Sequence, residues 1–433
     1  MNNNVYITGH RNPDLDSVCS AIGYADLKNR LDHEKNYIPI RCGHLSTSAK
    51  NILISQGIEI PPYVPDIFLR VGDVILRAEE KIDINAPLTE VAKYYKDTNP
   101  STIPIFDGEN YAGLLSVDDI SAWVMNKLST SENIDSIPTV REVMRAQAPE
   151  VQIDDLFEEA KSALINSRKR GLAVYDKDGF AGYVTRRCFL KVPQHDVILV
   201  DHNEPKQSIK GIENANILEI IDHHRLDAVK TNLPIFIDSE PLGSTCTIVY
   251  ELFIRNSVAP SKEIAKVLLT GMMADTLVLK SPTTTPTDVK SAKALADIIG
   301  VDVTAFGHEM FSHIESLSKE KPENAILSDF KKYNEQGINI GIGQCEVVTL
   351  NDVDAYKESF LNALISIKKQ NGLDWAVCMV TDILKENSIL FTTDYRAVKH
   401  LPYSAIEPNL LDMPGVMSRK KQLLPEMIFS LGM

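Results

Sequence analysis

No stretch of this 433-residue chain sustains an apolar run of the ~18 residues that a bilayer-spanning helix requires. The opening Met-Asn-Asn-Asn is polar and lacks the charged and apolar regions of a signal peptide. Cysteine is sparse: Cys19, Cys42, Cys188, Cys246, Cys345 and Cys378 are scattered and form no Cys-x-x-Cys pair. They read as small residues of a reducing compartment, not as a disulfide framework or a thiolate zinc site. A cytoplasmic protein with no membrane association is the expectation. Positive charge is also short, 45 Lys and Arg against 59 Asp and Glu, for a formal net charge of −14. That argues against nucleic acid as a partner of the whole surface, while leaving room for a local basic pocket. Core-forming material is plentiful: 44% of the residues are hydrophobic, enough for two to three domains.

The stretch that organises the chain is Gly9-His10-Arg11-Asn12-Pro13-Asp14-Leu15-Asp16-Ser17. It follows a strand-like run, Val5-Tyr6-Ile7, and precedes a helical pattern through Ala21, Ile22 and Leu27, for which Ser17 reads as the N-cap. Pro13 and the turn before Ser17 are expected to keep His10, Asp14 and Asp16 off the helix, free to converge. The pattern recurs. Val197-Ile198-Leu199-Val200 ends in Asp201-His202-Asn203, Ile217 to Ile221 ends in Asp222-His223-His224, and a helical stretch from Ile264 to Met273 ends in Ala274-Asp275. One Asp after a strand is ordinary turn chemistry. Four such endings, with adjacent histidines among them, point to a common metal site at the carboxyl ends of parallel strands, where open α/β sheets bind ligands.

Taken in order, residues 1–65 alternate strand and helix signals, the grammar of a parallel sheet. Pro61-Pro62-Tyr63-Val64-Pro65 breaks that pattern. Residues 66–191 hold an internal repeat of about 70 residues. Val71 to Ile75 opens the first copy (about 66–128), which closes on Tyr111-Ala112-Gly113-Leu114-Leu115-Ser116; Val140 to Met144 opens the second (about 136–191), which closes on Phe180-Ala181-Gly182-Tyr183-Val184-Thr185. The repeat resembles a tandem pair of CBS modules, βαββα units that commonly bind adenine nucleotides and pair between subunits. The resemblance implies that Asp119 holds ribose hydroxyls and Ser116 contacts phosphate. In the second copy Thr185 is kept, Cys188 stands where the acid belongs, and Arg186 and Arg187 supply positive charge. At Pro193 the α/β pattern resumes, so 1–65 and 192–317 form one domain interrupted by an insertion. Ser318-Lys319-Glu320-Lys321-Pro322 reads as a hinge, and residues 323–433 as a second α/β lobe with strand-like runs at Ile338–Ile342, Trp375–Thr381 and Ser388–Thr393 and a helix at Tyr356–Gln370. Its tail carries the basic cluster Ser418-Arg419-Lys420-Lys421-Gln422.

Two histidines and four aspartates with no thiolate suit Mn²⁺, Fe²⁺ or Co²⁺ better than structural zinc. Six protein ligands fit two ions roughly 3.5–4 Å apart that share one carboxylate and activate a water for in-line attack on phosphorus. Arg419, Lys420 and Lys421 can supply charge to substrate phosphates when the second lobe closes.

Together, Gly9-His10, Pro13-Asp14, Asp16-Ser17, Asp201, Asp222-His223-His224, Asp275 and Ser418 to Gln422 resemble the DHH phosphoesterase superfamily. The tail is similar to that of the manganese-dependent, family II inorganic pyrophosphatases carrying an inserted CBS pair. The resemblance implies hydrolysis of pyrophosphate by an enzyme with two Mn²⁺ or Co²⁺ ions, with Mg²⁺ accompanying the substrate. It places His10, Asp14 and Asp201 on one ion and Asp16, Asp201, His223 and Asp275 on the other. Asp201 bridges, His224 faces the leaving phosphate, Asp222 orients it, and Arg419 and Lys420 bind pyrophosphate. Adenine nucleotides (AMP, ADP, ATP or diadenosine polyphosphates) are the implied regulators and a homodimer the implied assembly. One departure is expected: the family's second substrate lysine, on the first strand of the carboxyl lobe, aligns with Asn339. The rival readings are a DHH phosphoesterase acting on oligonucleotides or cyclic dinucleotides, which usually ends in a glycine-rich, histidine-containing motif absent here, and a nucleotide sensor whose DHH half no longer catalyses.

Overall fold

The computed structural model describes residues 3–432 apart from 131–135, 146–148, 191, 228–229, 232, 313–316, 318–320, 348, 383–384 and 386. Residues 318–320 of the expected hinge therefore lie outside the described residues. The chain divides into two compact units: residues 3–67 with 196–433, and residues 68–195.

The first unit begins as its apolar pattern dictates. β1 (Asn4–Thr8) leads through the His10–Asp16 turn to α1 (Leu15–Leu31), β2 (Asn36–Ile40) and α2 (Thr47–Ser55). The N-cap of α1 is Asp14, not Ser17: the Asp14 carboxylate accepts from the Ser17 amide, 2.9 Å away. Aspartate caps as well as serine and is placed one turn earlier, so the helix starts before Asp16 and carries it in its first turn.

The second unit follows. It contains β3 (Ile82–Asp83), α3 (Leu88–Thr98), β4 (Thr102–Asp107), β5 (Asn110–Ser116) and α4 (Val117–Ser129), then α5 (Val140–Val143), β6 (Glu150–Gln152), α6 (Phe157–Ser167), β7 (Gly171–Asp176) and β8 (Gly179–Thr185). Each copy forms a three-stranded sheet, β3-β4-β5 or β6-β7-β8, with one parallel and one antiparallel pairing. The second copy ends in a 3-10 turn, Arg186–Phe189, where the first has α4. The lead-in segments are exchanged relative to the sequence expectation. Val71 packs with Val151, Phe157 and Leu172 of the second copy, and Val140 and Val143 pack with Ile82, Ile103 and Leu115 of the first. The Val71 amide donates to the Asp155 carbonyl and the Val140 amide to that of Ala86, which satisfies each buried lead-in from the other copy.

The chain then returns to the first unit through β9 (Asp196–Val200), β10 (Asn216–Asp222), β11 (Phe236–Ser239), α7 (Thr245–Arg255), α8 (Lys262–Asp275), α9 (Pro286–Ile299) and α10 (Val303–Ser312). Its parallel sheet runs β11-β10-β9-β1-β2. Fully buried Val5, Ile7, Ile198, Val200 and Ile221 share one core with α1, α7 and α8, while Val197, Leu199 and Ile220 face a smaller core with Ile40 and Ile209. Burial of both faces explains why these strands read as unbroken apolar runs. The strand order reverses between β1 and β9, which opens a crevice at their carboxyl ends.

The carboxyl lobe comprises α11 (Pro322–Ser328), β12 (Phe330–Glu335), β13 (Ile338–Val347), α12 (Lys357–Gln370), β14 (Trp375–Asp382), β15 (Asn387–Thr392), β16 (Ser404–Glu407), β17 (Leu410–Pro414) and α13 (Leu424–Leu431). Its mixed sheet runs β12-β13-β14-β15-β17-β16, with β13 and β14 parallel.

Candidate metal centre

The crevice is filled by the side chains that end β1, β9 and β10. After β1, Gly9 lets the chain pass close to α1: a Cβ there would fall 1.7 Å from Ser17 Oγ. That approach allows the His10 amide to donate to Ser17 Oγ at 3.1 Å, which aims the imidazole at the crevice. His10 Nε2 lies 3.4 Å from Asp14 Oδ2 and 3.3 Å from Asp201 Oδ2. Burial opposes charge on His10, but Asp14 and then Asp201 outweigh it and raise its pKa well above the ordinary value.

Asp201 follows β9 with φ +59°, a left-handed conformation that aspartate tolerates better than most residues. Its amide donates to the Ile221 carbonyl (2.9 Å), and its Oδ1 accepts from Thr245 Oγ1 (3.0 Å). The two carboxylate oxygens face different neighbours. Oδ2 faces His10, and Oδ1 lies 3.6 Å from His223 Nε2. His223 donates from Nδ1 to the Leu242 carbonyl at 3.0 Å, which leaves Nε2 unprotonated. That buried nitrogen has no hydrogen-bond partner among the described residues and stands 3.3 Å from Asp275 Oδ2. Burial and then the neighbouring His224 lower the His223 pKa.

Asp16, wholly buried, is held by the start of α7: Ser244 Oγ (2.5 Å) and the Cys246 amide (3.0 Å) donate to Oδ1, and the Thr245 amide (2.7 Å) to Oδ2. Burial and then the charge of Asp201 push its carboxyl up to about 7. Burial and then Asp16 raise Asp275 as well. The like charges crowded around Asp16 and Asp275 are what a bound divalent ion would offset. Two donor groups result, His10 with Asp14 and Asp201, and Asp16 with His223 and Asp275; a third combination joins Asp201, His223 and His224. In each, the candidate donor atoms lie within 4.8 Å of one another. The donor set of carboxylate oxygens and an unprotonated imidazole nitrogen fits Mn²⁺ or Co²⁺.

His224 is set apart from His223 by its partner. Its Nδ1 donates to Asp222 Oδ1 at 2.9 Å, and its amide donates to the same oxygen. Asp222 is buried and also accepts from Asn203 Nδ2 (2.6 Å). Burial opposes its ionisation, but bonds from His224 and Asn203 prevail and hold its pKa at about 2.

From the carboxyl lobe, the buried Arg419 fork donates to the Asp329 carbonyl (2.7 Å), the Asp329 carboxylate (2.8 Å) and the Ile342 carbonyl (3.3 Å). Lys420 is exposed. Its pKa is lowered by burial of its stem and then by the charges of Lys331 and Arg225, and is partly restored by Asp222. Lys331 is the residue that sequence reasoning missed. It sits on β12, and its charge acts on Asp14, Asp329 and Lys420. The departure expected at Asn339 does not hold. The first strand of this lobe is β12, and it carries a lysine. Asn339 lies at the far end of β13, where it accepts from Asn334 Nδ2 and donates its amide to Asp374. Gln344, whose Oε1 accepts from the Arg419 amide, is five residues on, roughly 16 Å along the strand. The signal was weak, because Lys331 lies on a strand with few apolar residues to mark it.

In the inserted unit, Ser116 and Asp119 cap α4 reciprocally, with Ser116 Oγ 2.6 Å from Asp119 Oδ2. Thr185 and Cys188 repeat that arrangement, the Thr185 amide lying 3.3 Å from Cys188 Sγ. Arg186 and Arg187 are exposed beside them.

The family model for the DHH family, N-terminal domain, matches residues 4–272, and that for the DHHA2 domain matches 308–428. The chain is 28% identical to a cobalt-dependent inorganic pyrophosphatase of Clostridium perfringens, over 98% of each chain. It is 37% identical to a manganese-dependent inorganic pyrophosphatase of Methanothrix thermoacetophila, over 53% of this chain and 75% of that one. In fold it is similar to a crystal structure of a Methanococcus jannaschii protein, with a TM-score of 0.59 and 24% identity over 99% of both chains. With the amino-terminal family model spanning more than half of its length, the chain belongs to the DHH family.

Proposed function

We propose that this chain hydrolyses inorganic pyrophosphate to two phosphates at a pair of Mn²⁺ or Co²⁺ ions, with Mg²⁺ accompanying the substrate. The observation that carries the reading is Asp201, whose two carboxylate oxygens face separate donor groups, His10 with Asp14 on one side and His223 with Asp275 on the other. Ions held there supply an acidified water and neutralise phosphoryl oxygens. The chain's own groups do the rest. His224, with Nδ1 committed to Asp222, has Nε2 left to exchange a proton with the leaving phosphate. Lys331 and Lys420, close enough to depress the latter's pKa, form a cationic rim suited to a small polyanion. Arg419 enters that rim already oriented by Asp329.

Regulation by adenine nucleotides is assigned to the inserted unit, at Ser116 and Asp119 in the first copy and Thr185, Arg186 and Arg187 in the second. AMP and ADP are expected to inhibit, a sign taken from the resemblance to CBS-bearing pyrophosphatases. Cytoplasmic location and a homodimer belong to the same proposal; among the described residues no helix is long and apolar enough to cross a membrane.

Phosphate release from pyrophosphate and from ATP, and nucleoside monophosphate release from a dinucleotide, measured with Mn²⁺ or Co²⁺, test the reading. Pyrophosphate is expected to turn over fastest. Faster release from the dinucleotide assay would favour the oligonucleotide phosphoesterase, and no turnover of any substrate the non-catalytic sensor. Calorimetry with AMP, ADP, ATP and diadenosine polyphosphates on the intact protein tests the regulatory half, which fails if none binds.

A further inference from the structure

The loop that leaves α8 has an uncommon backbone. Leu277, Val278 and Leu279 follow one another with φ of +49°, +55° and +64°. Residues with a Cβ avoid the left-handed region because that atom crowds the following carbonyl, and a β-branched valine avoids it most. Such a run persists only where its surroundings over-determine it. Here the Val278 amide donates to the Met273 carbonyl (2.9 Å), the Lys280 amide to that of Leu277 (3.1 Å) and the Ser281 amide to that of Thr276 (2.8 Å). Leu277 and Val278 are buried, and Val278 packs against Gly307 so closely that a Cβ there would fall 2.5 Å from its Cγ1. The chain from Asp275 to Ser281 is thus a braced unit.

The same loop is tied to the cradle of Asp16. Asp288, in the first turn of α9, accepts from the Thr285 amide (2.7 Å), the Gly243 amide (2.9 Å) and Thr247 Oγ1 (2.6 Å). Gly243 lies between Leu242, whose carbonyl orients His223, and Ser244, which binds Asp16. One scaffold therefore holds Asp16, His223 and Asp275, the three donors of one group, while His10 and Asp14 are held by the turn before α1. At the exposed end of this scaffold, the Pro282 carbonyl accepts from Lys421 Nζ at 3.1 Å. Lys421 belongs to the carboxyl lobe, on a π-helical turn, Arg419–Leu423, whose start is fixed by Ser418 and by Gln422 Oε1.

We propose that Lys421 is a positioning residue, a latch by which the carboxyl lobe, when closed, steadies the Asp16, His223 and Asp275 group through the Pro282 loop, and not a phosphate ligand. The inference rests on the two-ion reading above. It makes the second ion respond to closure of the lobe and leaves the His10 and Asp14 ion indifferent to it.

The test is calorimetric titration of the metal-free protein with Mn²⁺, with and without a non-hydrolysable pyrophosphate analogue that favours closure, alongside kcat and KM. In the wild type the analogue is expected to tighten one of two Mn²⁺ sites. In Lys421→Ala that tightening falls by about tenfold, the loss of one charge-assisted hydrogen bond. The other site is unchanged, kcat falls more than KM rises, and Lys421→Arg restores most of the effect. Lys421 is exposed, so both variants are expected to fold. Equal weakening of both sites, no change at either, or a rise in KM alone would overturn the latch. A wild type that binds fewer than two Mn²⁺ ions would instead overturn the two-ion reading on which the latch depends.

Discussion

Gly271→Ala probes how tightly the fold presses on Asp16. Gly271 lies within α8 where α1 and α7 meet it, and a Cβ at that position would fall 2.5 Å from Cys246 Sγ, 2.9 Å from Cys19 Cβ and 3.2 Å from Asp16 Oδ1. The Cys246 sulfur can rotate away, but Cys19 Cβ is fixed to the backbone of α1. The helices must therefore separate by several tenths of an ångström. Overpacking of this kind costs ~1–3 kcal/mol. Alanine in place of glycine in a helix returns up to about 1 kcal/mol. The net expectation is a loss of up to about 2 kcal/mol, a fall of a few degrees in the midpoint of thermal unfolding. The displacement also stretches the bonds by which Ser244 and Cys246 hold Asp16, so one Mn²⁺ site should weaken while the other holds. Thermal unfolding of the metal-free protein and Mn²⁺ titration check both parts. A midpoint equal to or above the wild type's, with both Mn²⁺ affinities intact, would refute the reasoning.

His224→Gln is expected to lower turnover by ~10²–10⁴-fold with metal content unchanged, whereas His223→Gln loses metal; equal metal loss in the two, measured by elemental analysis, would undo the division of roles. Lys331→Ala should raise KM and depress kcat, while Asn339→Lys, at the far end of β13, should alter neither. Glu346, whose carboxyl is raised to about 7 by burial and then by Asp329 and Asp14, favours the folded state only while it keeps its proton. In metal-free protein that contribution is complete below pH 4.5 and is lost as the pH climbs through 7, an upper limit of about 3 kcal/mol at 1.36 kcal/mol per pH unit. Urea unfolding at pH 5 and pH 8 should therefore show Glu346→Gln gaining on the wild type only at the higher pH.

Much of this was legible in the sequence because the chemistry sits where periodicity is strongest. Strands buried on both faces read as continuous apolar runs, and each of β1, β9 and β10 ends in the Asp or His that faces the crevice. Local competition explains one error: Asp14 and Ser17 are both good caps, and only the three-dimensional turn decides that Asp14 caps while Ser17 receives the His10 amide. Strand amphipathicity explains another, since β12 offers only Phe330 and Tyr333 to mark a strand that carries Lys331. What remained hidden is non-local or conformational. The exchange of lead-in segments between the two inserted copies depends on contacts far apart in sequence, such as Val71 with Asp155 and Val140 with Ala86. The Ser244-Thr245-Cys246 cradle of Asp16 contains no residue that advertises it. The left-handed run Leu277–Leu279 contains no glycine or asparagine to signal positive φ, because its surroundings impose it.

The central claim is that Asp201 joins two ions into one catalytic site, and a count of bound metal in Asp201→Asn tests it most directly. Asparagine preserves the size of the side chain and tolerates the left-handed backbone at this position. The account predicts two Mn²⁺ ions per chain in the wild type and at most one in the variant, with pyrophosphate hydrolysis reduced to background. Two tightly bound ions and near-normal hydrolysis in Asp201→Asn would contradict it.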